Sequence, residues 1–295
     1  MASGPLPVLV IIGGGGIGLA AAHRLGPGRR ILFASRSSST LDAGAESLKK
    51  EGLEVVTQQV DVSSYDSVSA VAKAAASLGS IEAVVLTSGV SAVVGSVEMI
   101  LAVDILGTAN VIDAFGKEVD MPEGSSLVCT GSIAQHLCPP MSPELETHLA
   151  TAPLSSLLSP NKELDHIIKG ECRVAYYVAK KANFLRAQAA AASREYASKG
   201  VRVNCVSPGM TETNMLTAEK SVNVVGDMIT AALKVHPLKR ASTTDEVAQA
   251  IEFVVRCGYV NGVDILIDGG IHATELWSSL VYPEKAANLR KSMNG

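Results

Sequence analysis

Apolar residues along the chain alternate between two textures. Short β-branched runs recur at Val8–Ile12, Ile31–Ala34, Glu54–Val60, Ala83–Thr87, Ser126–Cys129, Val201–Val206 and Val263–Ile267. Between them lie alanine- and leucine-rich stretches with helical spacing, such as SVSAVAKAAASLG, EMILAVDILGTANVIDAFGKEV and the segment from Val174 to Lys199. Continuous apolar runs, unlike alternating ones, mark strands buried on both faces. Strands separated by helices pair in parallel, with helices above and below the sheet. The pattern therefore predicts an α/β fold: a single doubly wound, Rossmann-like domain over residues 1–295, with a seven-stranded parallel sheet.

Two segments break the rhythm. Residues 133–172 carry prolines at 139, 140, 143, 153 and 160, and residues 210–240 form a second irregular section. Long excursions in a compact domain tend to cover a site. The first is expected to be an inserted substrate-side lid, favoured by its length and apolar content over a surface excursion or interface element, and the second a substrate loop, with the tail from Ile271 as a further wall.

Composition narrows the function classes. Hydrophobic residues make up 47% and charged residues 18%, enough for a large core and against disorder. The net charge is −4 and no basic stripe with interleaved aromatics occurs, so nucleic acid is excluded as a partner. Cys129, Cys138, Cys172, Cys205 and Cys257 are scattered, with no Cys-x-x-Cys, as expected of reduced thiols in a cytoplasmic protein. His136, His148 and His166 lack metal-ligand spacing, and no metal is expected. The apolar start PLPVLVII stops at four glycines, and residues 83–97 are broken by glycine and serine, so no membrane span is expected.

The stretch VLVIIGGGGIGLAAAHRL reads strand, glycines, helix. Gly13, Gly15 and Gly18 satisfy Gly-x-Gly-x-x-Gly, which combines a tight turn, a bare backbone that a pyrophosphate can approach, and a helix N-terminus aimed at its charge. A plain glycine-rich turn is the bland alternative, and the flanking strand and helix favour dinucleotide binding over it. The second strand ends ILFASRSSS, with Ser35 and Arg36 at the tip where an acid would hold the ribose of NAD. A missing carboxylate with an arginine present favours NADP(H), with NAD(H) as the lesser choice.

AYYVAKKAN holds two overlapping Tyr-x-x-x-Lys pairs, Tyr176 with Lys180 and Tyr177 with Lys181. Taken alone, such pairs are ordinary helix surface. Chemically, an ammonium beside a phenol favours the phenolate and brings its titration, near 10 when free, towards the range useful for acid–base work. Ser132, at the end of LVCTGS, either donates to a substrate oxygen or satisfies its own turn.

Taken in order, these pieces resemble the short-chain dehydrogenase/reductase family over nearly the whole chain. The glycine turn comprises Gly13, Gly15, Gly16, Ile17 and Gly18. Asp61 and Val62 resemble the family's adenine-contacting pair, and TSGV, with Ser88 and Gly89, stands where the family has Asn-Asn-Ala-Gly. Ser132 matches the catalytic serine; VRVNCVSPGMTET supplies Pro208 and Gly209, with Thr211 and Thr213 as candidates for the nicotinamide carboxamide. The family follows its lysine with any residue and then alanine, as in Lys180–Lys181–Ala182, which selects Tyr176 and Lys180. Tyr177 lies about 100° further around a helix, so both tyrosines cannot face one nicotinamide; Tyr177 and Lys181 are expected to be packing or surface residues. The resemblance also implies that Lys180 holds the nicotinamide ribose, that Ser132 stabilises charge on the substrate oxygen, and that the chain forms a homodimer or homotetramer.

Three departures stand out. Gly13 and Gly16 enclose two residues where the family has three, so either the turn is shorter or Ile12 takes the first place. Asp104, in LAVDILGTANV, replaces the asparagine of the family tetrad; it would pair with Lys180, directly or through water, or only cap and kink its helix. The stretch between Ser132 and Tyr176 is roughly thirty residues longer than is common in the family, as in the hydroxysteroid-dehydrogenase-like branch. The expected function is an NADP(H)-dependent oxidoreductase reducing a carbonyl of a medium-sized lipophilic ketone, steroid, terpenoid or alkaloid-like substrate, or oxidising the matching alcohol. The alternatives are an imine or iminium reductase, for which Asp104 or Asp165 offers a cation-friendly group, a non-redox cyclase that retains the cofactor, and a nucleotide-sensing protein.

Overall fold

The computed structural model describes residues 6–281, so both ends of the expected 1–295 domain lie outside the described residues. The strands are β1 (Val8–Ile12), β2 (Arg30–Ser35), β3 (Glu54–Gln59), β4 (Ile81–Leu86), β5 (Ser126–Thr130), β6 (Arg202–Pro208) and β7 (Asp264–Ile267). They form one seven-stranded sheet in the order β3-β2-β1-β4-β5-β6-β7, with every neighbouring pair parallel.

The unbroken apolar runs follow from what covers the sheet. From β1, Val8, Val10 and Ile12 pack with Val68 and Val71 of the helix Tyr65–Leu78 and with Val111 and Phe115 of the helix spanning Val97–Lys117. Leu9 and Ile11 point the other way, to Ala21 and Leu25 of the helix Gly16–Leu25 and Ile251 of the helix Thr244–Arg256. Side chains alternate across a strand, so burial on both faces demands an apolar residue at every position. Each large side chain buried this way contributes about 1.5–3 kcal/mol.

Strand order reverses between β1 and β4, and ligands bind open α/β sheets beyond the carboxyl ends of the strands at such a point. The cavity described below lies there. The helix spanning Val97–Lys117 is long and apolar enough to cross a membrane, but 67% of its most apolar 18-residue window is buried in the protein, so it is a core helix.

The 133–172 segment departs from the expected lid. After a short 3-10 turn (Ile133–Leu137) it forms helices Pro143–Thr151, Leu154–Leu157 and Lys162–Ile168. Leu145, Leu149, Leu157, Leu164 and Ile168 pack onto Ile105 and Ala109 of the helix Val97–Lys117 and onto Val178 and Ala182 of the helix Cys172–Ala192. Buried Arg186 anchors them, donating to the carbonyl of Ala152 (3.0 Å) while pairing with Asp113 (3.6 Å). The leucines that suggested a lid are the adhesive of this side layer, and only Ile133, Ala134 and Leu137 reach the cavity wall.

Candidate active site

A cavity of about 660 Å³ opens at the carboxyl ends of β1, β2, β4, β5 and β6. The glycine turn forms its floor. Ile12 is the last, fully buried residue of β1, so Gly13 is the first turn residue and the turn is the shorter of the two possibilities. Gly13 has φ +115°, and a Cβ there would lie 2.5 Å from the Ser88 nitrogen. The helix Gly16–Leu25 starts without a side-chain cap, and a Cβ on Gly15 would meet nothing within 4 Å. Uncapped N–H groups facing open space suit a pyrophosphate, so the residues present fit a dinucleotide.

Ser35 and exposed Arg36 line the far end, as do Asp61 and Val62. Asp61 accepts from the Ser63 hydroxyl (2.7 Å), and the carbonyl of buried Val62 is pinned by the Asn110 amide (2.8 Å). Ser88, Gly89, Pro208, Gly209, Thr211 and Thr213 line the same cavity. The Thr211 hydroxyl is already bonded to Ser242 (2.9 Å), and Thr213 caps the helix Asn214–Lys220 by accepting from the Leu216 N–H (3.2 Å). Of the 210–240 segment, Met210, Met215, Leu216 and Glu219 also reach the wall; no described residue of the tail from Ile271 does.

The helix Cys172–Ala192 brings half-buried Tyr176 and buried Lys180 to the cavity, one turn apart. The Lys180 ammonium lies 5.3 Å from the Tyr176 ring centre, and Ser132 lines the same cavity beside the phenol, where it favours the phenolate. The Ser132 hydroxyl also accepts from the Ala134 N–H (3.1 Å), so it serves both its own turn and the site. Tyr177 lines the cavity too, a difference from the packing or surface place expected for it, while Lys181 lies away over Phe184 (5.8 Å).

Asp104 sits at the centre of a π-helical segment, Leu101–Leu106, inside the helix Val97–Lys117. It is fully buried. Its Oδ1 accepts from the Val90 N–H (2.9 Å) and its Oδ2 lies 3.6 Å from Lys180 Nζ. Both sequence alternatives for Asp104 are thus present together: a distorted helix and a direct pairing with the lysine. π turns often mark functional positions. Asn183, its amide nitrogen turned to the helix, donates to the Asp104 main-chain carbonyl (2.7 Å).

The electrostatics of the cluster follow from burial. Burial pushes the Asp104 carboxyl up, and the Lys180 ammonium and Val90 N–H pull it back. Burial alone would lower Lys180, yet Asp104 and Tyr176 hold its ammonium above the ordinary range. Tyr176 is raised, first by burial, with Asp104 and Glu219 adding and Lys180 and Ser132 opposing. The lysine alone was expected to bring the phenol down; burial outweighs it, so the phenol is held as an acid at neutral pH.

Among the described residues no cluster of three or more His, Cys, Asp or Glu is arranged to hold a metal. The histidines of the insertion disperse: His136 stacks on His272 with ring centres 4.2 Å apart, and His148 bonds the Leu157 carbonyl.

With a glycine turn, a parallel sheet of this order and a Ser–Tyr–Lys cluster in one cavity, comparison with known proteins gives a consistent result. Residues 7–142 match the family model described as short chain dehydrogenase, and residues 166–272 match one described as enoyl-(acyl carrier protein) reductase. The chain belongs to the short-chain dehydrogenase/reductase family and is an oxidoreductase acting on alcohol or carbonyl groups. It is 36% identical to the short-chain dehydrogenase/reductase bsc3 of Alternaria brassicicola, over 89% of this chain and 94% of that protein. It is 29% identical to the 3-alpha-hydroxysteroid dehydrogenase/carbonyl reductase of Comamonas testosteroni, over 59% of this chain and 66% of that one. The fold is shared with an actinorhodin polyketide ketoreductase solved with NADPH (TM-score 0.72, 18% identity, covering 92% of this chain and 99% of that chain). A 3-alpha-hydroxysteroid dehydrogenase of Pseudomonas sp. B-0831, solved with NADH, has a TM-score of 0.68 and 22% identity, covering 94% of this chain and 98% of that one.

Two site residues escaped the sequence reading. Asn183 stands inside the quoted AYYVAKKAN, but only the π segment gives it a carbonyl to cover. Glu219 is an acid within the segment read as the substrate loop, and that placement was the one available signal.

Proposed function

We propose that the chain is an NADP(H)-dependent reductase of the carbonyl of a medium-sized, largely apolar substrate, working through Tyr176, Ser132 and Lys180. The observation that carries this reading is the Tyr176 phenol, raised by burial, next to Ser132 and Lys180 in the cavity that the glycine turn floors. Bound cofactor would supply the hydride to the carbonyl carbon. Tyr176 then gives its proton to the carbonyl oxygen, and the Ser132 hydroxyl donates to that oxygen as charge grows on it. Lys180 holds the ribose and, as a buried cation, makes the phenol's proton easier to release. Asp104 is a positioning residue that fixes the Lys180 ammonium and tempers its field.

The preference for NADP(H) over NAD(H) rests on Ser35 and Arg36 at the tip of β2, where no carboxylate would repel a 2′-phosphate. The apolar character of the substrate rests on Val90, Val103, Leu137, Met210, Met215 and Leu216 in the wall. A homodimer or homotetramer in the cytoplasm completes the reading; exposed Phe253, on the helix Thr244–Arg256, and exposed Tyr259 and Val263, in the stretch leading to the edge strand β7, favour assembly. The test is NADPH consumption over a panel of lipophilic ketones with wild type and Tyr176→Phe. The variant is expected to lose about 10²–10⁴ in rate while keeping its NADPH affinity. Undiminished turnover in Tyr176→Phe would overturn the assignment and leave the sensor or non-redox alternatives.

A further inference from the structure

The cavity has an unbalanced charge on its substrate side. Its charged lining residues, among those described, are Arg36, Asp61, Lys180 and Glu219. Arg36 and Asp61 follow β2 and β3 at the adenosine end, and Lys180 is answered by Asp104 at 3.6 Å. Glu219 has no ion pair among the described residues. It stands on the helix Asn214–Lys220 with Met215 and Leu216, in a wall that also carries Val90, Val103 and Leu137. Half-buried Glu219 lines the same cavity as Tyr176. In keeping with that place, burial raises its carboxyl, with Ser91 opposing.

A carboxylate held among apolar groups without a cation is costly. Proteins keep such a group where a ligand repays the cost, because a charge-assisted hydrogen bond formed away from water is among the stronger polar contacts. Water reaches Glu219 through the open cavity, so the site stands ready; a bound lipophilic molecule would shut that water out and leave the carboxylate needing a partner. Lys180 cannot be that partner, since Asp104 already holds it.

We propose that Glu219 receives a protonated amine carried by the substrate, so that the site selects amine-bearing carbonyl compounds over neutral lipophilic ones. The inference deepens the reductase reading and rests on it for the placing of the carbonyl at Tyr176. The amine lies on the side of the Asn214–Lys220 helix, the carbonyl on the side of Ser132, and the apolar body of the substrate fills the wall between.

The experiment uses two ligands of nearly equal shape, 4-phenylcyclohexylamine (an ammonium at neutral pH) and 4-phenylcyclohexanol. Each is titrated calorimetrically into the full chain saturated with NADPH, for wild type and Glu219→Gln. The amine is expected to bind wild type about tenfold to a hundredfold more tightly than the alcohol. Glu219→Gln should remove that preference while NADPH affinity and melting temperature stay near wild type. Equal affinities in wild type, a preference that survives Glu219→Gln, or no binding of either ligand overturns the proposal and leaves the reductase reading standing. A variant that changes NADP⁺ affinity and not amine affinity also overturns it, since Glu219 would then serve the oxidised nicotinamide. If NADPH fails to bind, the reductase reading falls; the same two titrations on the chain alone then decide the Glu219 site by the same criterion.

Discussion

Replacing Asp104 with asparagine keeps shape and removes charge, so it isolates what the carboxylate does to Tyr176. The Asp104 Oδ2 lies 3.6 Å from Lys180 Nζ, which lies 5.3 Å from the Tyr176 ring centre. The carboxylate is therefore no farther than about 9 Å from that ring, and at an effective dielectric of about 20 it opposes a phenolate by roughly 2 kcal/mol. One pKa unit corresponds to about 1.4 kcal/mol, so Asp104→Asn should lower the Tyr176 pKa by about one unit or slightly more. The sign follows from which form reacts. Alcohol oxidation needs the phenolate, so its rate rises with pH through the tyrosine pKa, and a lower pKa moves that limb to lower pH. Reduction needs the protonated phenol, so its alkaline fall also comes earlier. The assay is kcat/KM against pH in both directions, with the ketone and alcohol pair that wild type turns over fastest. Both limbs moving down by about one unit together is the expected result. An unmoved pair of limbs would refute the reasoning, because it would mean that Asp104 is protonated beside Lys180 and carries no charge to remove.

Three further expectations come from other parts of the molecule. Arg36→Ala should weaken NADPH about tenfold or more and leave NADH nearly unchanged, as read by nicotinamide fluorescence; an equal loss for both would deny Arg36 its phosphate. Gly89→Ala would set a Cβ 3.1 Å from Asp104 Oδ1 and 3.2 Å from Lys180 Nζ, closer than most real contacts. The pair must shift, so kcat should fall several-fold with little change in KM, and a melting curve close to wild type would separate this from unfolding. Leu149→Ala, at a fully buried position of the inserted layer, should cost about 2–5 kcal/mol in urea unfolding while NADPH affinity persists, because that layer packs away from the cavity.

The fold was readable because a parallel sheet covered on both faces leaves its mark at every residue. The run Val8–Ile12 is β1 to the residue, and the others differ from the observed strands at their ends, as with Ala83–Thr87 against Ile81–Leu86. Strand ends are set by register with neighbours: β4 is paired to β1 from Ile81, a relation that no local pattern encodes. The glycine turn and the Tyr176–Lys180 pair were readable for a similar reason, since each is a short stretch whose spacing is its geometry. The insertion was not. Its leucines and prolines state that it buries an apolar face, but not which face receives it. Both a cavity and the backs of two long helices accept Leu145 and Leu149, and only the tertiary structure selects the helices. Glu219 was hidden likewise: an acid on a seven-residue helix is ordinary surface until Tyr176 and the apolar wall are brought around it.

The departure at Asp104 is more than one residue deep. An aspartate merely tolerated in place of an asparagine would be expected to turn to water or to kink its helix idly. Here the carboxylate is fully buried, with Oδ1 accepting from the Val90 N–H and Oδ2 paired with the Lys180 ammonium at 3.6 Å, outside hydrogen-bond distance. Gly89, where the family motif places an alanine, leaves the space in which the two charges meet, and a methyl group there would press on both. Asn183 covers the Asp104 carbonyl within the π segment. Losing the Val90 N–H or the Lys180 ammonium would strip the carboxylate of a partner, and losing Asn183 would bare the main-chain carbonyl, which in a buried site costs about 1–3 kcal/mol or more. The surroundings are thus fitted to a charge at this position. The consequence falls on Tyr176: with its lysine partly neutralised, the phenol keeps its proton further into the alkaline range, and a site so arranged is an acid first and a base second.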